Sequence, residues 1–426
     1  MATSPRVTSS LDVGTSPSTS RSLWRLPALR ALVFISLAGF TSFCATLSAL
    51  PSWATAGGAT PAAAGLVIAV MLGCTVLTQV AVPALGARLG WSRLFAIGLA
   101  AMGLPALGYL LGDALWWLMA VSAVRGAGFA VVTVVGATLT ARIAPPGRQG
   151  EAVGIYSLSS SVPNLLAVPA GVALTLAGHF EWVAVLAAAP VLAVPFVGAL
   201  GRGGLEPRRG SGPEPRCGSG PAAVARRPRR VVLAAAGPAV VLLVAALGCS
   251  GLVTFLPIGR PDGVLATLSL LLLGATAALT RWRAGALADR TSSALLLPAG
   301  LGLCATGLLL VAGGLVLGRG AGPDAVVLVG ATAFGVGWGT VQNLTLVAAF
   351  GRVGPDRAAT AGAVWNAAFD TGLGVGALVV GAVAGTALGL PWTYVLCALL
   401  VALSLPLAVA TTPRTATGVD VPVAGP

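Results

Sequence analysis

Two ionisable residues stand where the neighbouring sequence offers them no water. Asp370 lies within WNAAFDTGLGVG and Arg125 within AVSAVRGAGFAV, with small and apolar residues on both sides of each. A charge in the middle of a bilayer costs at least about 2.5–3.5 kcal/mol, which makes each a candidate for function. The protonation state of a lone carboxyl group depends on its access to water and on nearby positive charge. Asp370 has the chemistry of a group that takes a proton on one side of a membrane and releases it on the other. Arg125 would then be its regulator or a contact for an anionic solute. A fixed Arg–Asp pair, or two charges satisfied separately by backbone and water, accounts for the same two residues.

Other polar and aromatic side chains in apolar surroundings are candidate solute contacts. Asn366 is one helical turn before Asp370 and shares its face, with Trp365 and Phe369 alongside. Gln342 and Asn343 form a polar cluster in another apolar run, and Tyr156, Asn164 and Thr41 lie in two more. Hydrogen bonding between neighbouring helices explains such residues equally well. Gln79 and Thr78 belong to the same group.

The elements that must carry these residues follow from composition. Charged residues are 9% of the 426 and apolar residues 56%, against about 25% charged in ordinary soluble domains. All 25 basic residues are arginine. The net charge of +13 is confined to short connectors, which argues against nucleic acid as a partner. Between the connectors lie twelve apolar runs of the length that crosses a ~30 Å hydrocarbon core: 31–50, 62–83, 94–112, 114–141, 150–176, 182–200, 231–257, 263–280, 294–317, 325–350, 358–386 and 391–410. Arg125 and Asp370 fall about 11 or 12 residues from a span end, roughly 16–18 Å deep.

The fold expected is an all-α membrane protein of two six-helix bundles, 28–201 and 231–411. A tail (1–27), an arginine-rich linker (202–230) and a second tail (412–426) complete the chain. With the amino terminus inside, the tails and inner connectors hold 22 of the 25 arginines, so both termini and the linker are expected in the cytoplasm of a multi-pass inner-membrane protein. Six scattered cysteines and a single histidine, His179, leave no ligand set for a metal. No cofactor is implied, and the ATP-binding motif G-x-x-x-x-G-K-[ST] cannot occur in a chain without lysine.

An internal repeat supports the halving. Ala84-Leu85-Gly86-Ala87-Arg88 returns as Ala286-Leu287-Ala288-Asp289-Arg290, and Arg125-Gly126-Ala127-Gly128-Phe129 as Phe334-Gly335-Val336-Gly337-Trp338. Arg142-Ile143-Ala144-Pro145 returns as Arg352-Val353-Gly354-Pro355. Two such halves related by an axis along the membrane normal form a transporter architecture, with the solute site between them near the midplane.

On these motifs the chain resembles the major facilitator superfamily. Gly285-Ala286-Leu287-Ala288-Asp289-Arg290 is similar to that family's cytoplasmic gating loop; in the first half Arg88 and Gly90 are kept and Ala87 replaces the aspartate. Arg125 with Gly126 and Gly128 resembles the family's fourth-span motif, and Pro169 with Gly171 part of its antiporter motif. The resemblance implies a monomeric secondary transporter and not an enzyme: proton-coupled efflux of a small organic compound by alternating access. An importer or facilitator of a polar solute and a non-transporting receptor are the alternatives.

Overall fold

The computed structural model describes residues 23–144, 148–201, 228–261, 263–288, 293–353 and 357–411. The linker expected at 202–230 and both tails lie almost wholly outside the described residues. Every regular element among the described residues is a helix, as lipid requires of backbone that has no water to bond.

The first half comprises α1 (Pro27–Ala56), α2 (Pro61–Leu89), α3 (Trp91–Gly103), α4 (Leu115–Ile143), α5 (Gln149–Leu176) and α6 (Phe180–Ala187). The second comprises α7 (Pro228–Gly259), α8 (Val264–Ala288), α9 (Ser293–Leu317), α10 (Ala321–Val353), α11 (Ala358–Ala384) and α12 (Gly389–Leu403). Among the described residues, eleven segments are long and apolar enough to cross a bilayer. The sequence expectation of one continuous helix over 182–200 is corrected. That stretch breaks into Phe180–Ala187, Pro190–Ala193, a 3-10 turn Val194–Phe196 and Val197–Gly201. Pro190 and Pro195 each remove a backbone donor and crowd the preceding turn. A second correction concerns α8, which runs on to Ala288 and so places Arg281 and Arg283 on a helix instead of in a connector.

The repeat seen in the sequence is a repeat of contacts. Gly126 of α4 meets the Met71 carbonyl of α2, and Gly335 of α10 meets Leu273 of α8, both so closely that a Cβ would collide with backbone. Ser48 of α1 donates to the Val168 carbonyl of α5 at 3.4 Å, and its counterpart Ser250 of α7 donates to the Leu373 carbonyl of α11 at 2.7 Å. Pairs of small residues thus let apolar helices approach where no hydrophobic effect drives them together.

The halves meet where α1 packs on α7 and along two further seams. On the first, α11 runs against α2: Gly381 packs on Pro61, Gly374 on Leu72, and Asp370 is joined to Gln79. On the second, α8 runs against α5, with Gly263 beside Leu176 and Gly274 beside Asn164. Both start at the end opposite the termini, and the first stops near mid-depth. Past Gln79, the residues one and two turns on, Pro83 and Ala87, are exposed; past Asp370, so are Asn366 and Ala363. The helices part there, and a cleft opens toward the end that carries the termini.

Candidate solute and proton site

Asp370 marks the point where the first seam stops. Its side chain is 5% exposed, and its Oδ2 accepts a hydrogen bond from Gln79 Nε2 at 2.7 Å. The bond crosses between the halves over a separation of 291 residues. Among the described residues no cation pairs with Asp370. Asn366 is exposed one turn nearer the mouth, on the same face.

Beside Asp370, four rings stack into a ladder that ties α10 to α11. Phe334 and Trp338 are 6.4 Å apart, Trp338 and Phe369 5.7 Å, and Phe369 and Trp365 5.8 Å, with interplanar angles of 26°, 22° and 17°. Trp365 Nε1 donates to Thr345 Oγ1 at 3.0 Å, which fixes its ring. Of the four, Phe369 alone is more than marginally exposed.

Three residues further along α10 from Gln342 comes Thr345, so the polar cluster and the ladder share one wall. Arg281 Nη1 donates to Gln342 Oε1 at 3.2 Å, and Asn343 Nδ2 donates to the Arg281 carbonyl at 2.9 Å. Asn343 Oδ1 is buried without a partner among the described residues. Here the inter-helix reading of Gln342 and Asn343 explains their visible bonds, and both bonds lead to Arg281.

The structure does not join Arg125 to Asp370. Arg125 is 1% exposed, and all five of its N–H groups find neutral acceptors inside the first half. Nε donates to the Met102 carbonyl at 3.1 Å, Nη1 to Thr46 Oγ1 at 3.3 Å and Tyr109 OH at 2.9 Å. Nη2 donates to the carbonyl and Oγ of Ser42 at 3.2 and 2.9 Å. The guanidinium carbon also lies 5.2 Å from the Tyr109 ring centre. Such an arginine fastens α1, α3, α4 and the 3-10 turn after α3 to one another and has no donor left for a solute.

The remaining candidates are scattered. Tyr156 OH is buried and lies with Ser36 Oγ against Gly136. Asn164 is exposed and bonds back to the Ser160 carbonyl of its own helix at 2.9 Å, and Thr41 is half-buried on α1. In the gating-loop region Gly90 ends α2 at φ +84°, a left-handed turn that glycine adopts without strain. Arg88 is exposed beside it. Gly285 lies within α8, while Asp289 and Arg290 lie outside the described residues.

By sequence alone Gln79 is one of several residues open to either a solute-contact or an inter-helix reading, and Arg281 falls in a connector. The spacing of the repeat held a signal for the second, because Ala84 and Ala286 are separated by the same interval as Gln79 and Arg281.

A helical molecule with a repeated core and a cleft ending at a buried carboxylate is matched by the Major Facilitator Superfamily model over residues 31–377. The chain belongs to the major facilitator superfamily. It is therefore a multi-pass membrane protein of a transporter family. Among solved structures of the superfamily fold, that of a mutant of the nucleoside transporter NupG superposes with a TM-score of 0.70 at 12% identity, covering 90% of this chain and 99% of the other. A bacterial homolog of the human lysosomal transporter Spinster, in an inward-facing and unoccupied conformation, gives 0.66 at 16% identity over 90% and 95%. A POT family transporter in complex with 5-aminolevulinic acid gives 0.69 at 13% over 90% and 96%. At these identities the likeness is one of fold. No curated protein sequence matches the chain.

Proposed function

We propose that this superfamily member is a proton-coupled secondary transporter that exports a small organic compound by alternating access. The observation that carries the reading is the 2.7 Å bond from Gln79 Nε2 to Asp370 Oδ2, which spans the halves at the depth where they part. A hydrogen bond to an ionised carboxylate is worth about 1.5–3 kcal/mol and one between neutral groups about 0.5–1.5. Proton uptake at Asp370 therefore weakens this seam by about 1–1.5 kcal/mol. That moves the balance between the two openings roughly 5- to 13-fold, within the usual range of a coupling free energy.

The arginine distribution supports a cytoplasmic position for the end that carries the termini, hence a cleft open to the cytoplasm of a bacterial-type inner membrane. Export is supported by that opening and by the Pro169 and Gly171 pair of α5, where Gly171 packs directly on Ala45 of α1. The helices enclose the cleft between their own two halves, which supports a monomer as the working unit.

Proteoliposomes that trap a pH-sensitive dye test the coupling. A panel of small organic compounds is added to the native chain and to Asp370→Asn, and the internal pH is followed. At least one compound is expected to move protons through the native chain and none through the variant. Solute flux that ignores an imposed pH gradient, or unchanged coupling in Asp370→Asn, refutes the reading.

A further inference from the structure

The repeat relating the halves carries Gln79 onto Arg281. Met71 and Leu273 receive equivalent glycines, and counting eight residues along each helix from them reaches Gln79 and Arg281. Gln79 holds the carboxylate of the first seam, so Arg281 occupies the matching place on the second. The contacts of Gly263 with Leu176 and of Gly274 with Asn164 fix the antiparallel register of α8 on α5. Two turns beyond Gly274, that register brings Arg281 level with the part of α5 that holds Ser157 and Ser161. Arg281 lies seven residues past Gly274 on the same face of α8, toward the end that carries the termini, and is only partly buried there.

Arg125 and Arg281, one in each half, differ in what their side chains have left to offer. Arg125 spends all five donors on neutral neighbours, whereas Arg281 gives one to Gln342 Oε1. Arg281 is half-buried, and no described carboxylate forms an ion pair with it. Its neighbour Asn343 keeps a buried Oδ1 without a partner among the described residues, so the site also holds an acceptor. A desolvated guanidinium with free, planar donors is the recognition group for a carboxylate or another oxyanion. From Gln342 the same wall continues through Thr345 and Trp365 to Phe369, the ring of the ladder that reaches the cleft, and ends at Asp370.

We infer that Arg281 is the solute anchor: it binds the acidic group of a small organic acid whose ring-bearing apolar body lies along α10 and α11 at Phe369. This assignment rests on the central cleft being the transport path, and it replaces Arg125 as the anion contact. Asp370 then serves protons at the other seam, and the charge of the solute is met by a different residue.

The test is binding to the full chain purified in phosphatidylcholine nanodiscs, so that it needs no coupling or flux. The probes are 3-phenylpropionate and indole-3-acetate, each paired with its uncharged amide, read by calorimetry and by thermal unfolding. Binding of at least one acid with its amide about tenfold weaker or worse is expected in the native chain. Arg281→Gln should abolish that preference for the acid, and Arg281→Lys should restore it in part, as a residue that merely braces α8 against α10 would not require. A second arm adds phosphatidylglycerol to the nanodiscs. Stabilisation by that lipid with no response to either soluble acid assigns the arginine to a headgroup and overturns the proposal. So does equal binding of acid and amide, or native-like acid preference in Arg281→Gln. If Asp370→Asn couples normally while the acid preference stands, proton coupling at Asp370 fails and the anchor survives; the converse result separates them the other way.

Discussion

Replacing Gln79 by Leu removes the donor that reaches Asp370 across the first seam while keeping a side chain of similar length. In the conformation with the cleft open at the termini, Asp370 Oδ2 then loses its 2.7 Å partner. The loss is about 1.5–3 kcal/mol for a bond to a charged acceptor, which corresponds to a shift of roughly 10- to 150-fold between the two openings. If the carboxyl takes up a proton in response, the shift falls to the low end. Spin labels at positions 87 and 363, both exposed on the flanks of the mouth, report the change in a chain whose native cysteines have been replaced. The native chain should show mainly long distances at neutral pH. Gln79→Leu should move population to short ones, and acidifying the native chain should move it in the same direction. Asp370→Asn should no longer respond to pH. A folded Gln79→Leu protein with the native distance distribution would refute the reasoning, because the seam would then carry none of the balance between states.

Arg125→Lys should lower the unfolding temperature in detergent even though the charge is kept, since an ammonium cannot reproduce five fork-directed bonds to Met102, Thr46, Tyr109 and Ser42; the expected loss is about 2–4 kcal/mol. A native unfolding temperature would show that this network does not hold the first half together. Arg125→Lys and Asp370→Asn should act additively on stability, as they share no partner, and a coupling energy above about 0.5 kcal/mol would contradict that separation. Gly126→Val and Gly335→Val should each cut the monodisperse yield in size-exclusion chromatography, because a Cβ at either position meets the backbone of the facing helix. Equal tolerance of both would mean that these crossings are looser than described. Cysteine placed at Gly58 should react with an impermeant maleimide added outside cells, and cysteine at Arg357 only after the membrane is opened, both positions being at exposed helix ends. The reverse pattern would invert the proposed orientation.

The sequence by itself determined the class of the molecule, its division and its repeat. A chain with 9% charged residues and apolar runs of bilayer length has no soluble solution, and backbone in lipid has only the helix to satisfy it. The glycines of Arg125-Gly126-Ala127-Gly128 and Phe334-Gly335-Val336-Gly337 were legible as a pair because close helix crossings leave a mark in residue size. Proline positions could have revealed the broken sixth segment, but mean hydropathy over 182–200 masks them.

Tertiary structure alone decided who meets whom. Asp370 and Arg125 were both legible as buried charges at similar depth, and depth made a pair of them one reading. The structure gave Asp370 to Gln79 and surrounded Arg125 with neutral acceptors. Helices that are apolar on every side carry no stripe to say which face looks inward, so one-dimensional spacing fixes how deep a residue lies and leaves its azimuth open. Azimuth is set by the crossings of the small residues, and those crossings turned Gln79 toward Asp370 and left Arg281 with donors to spare.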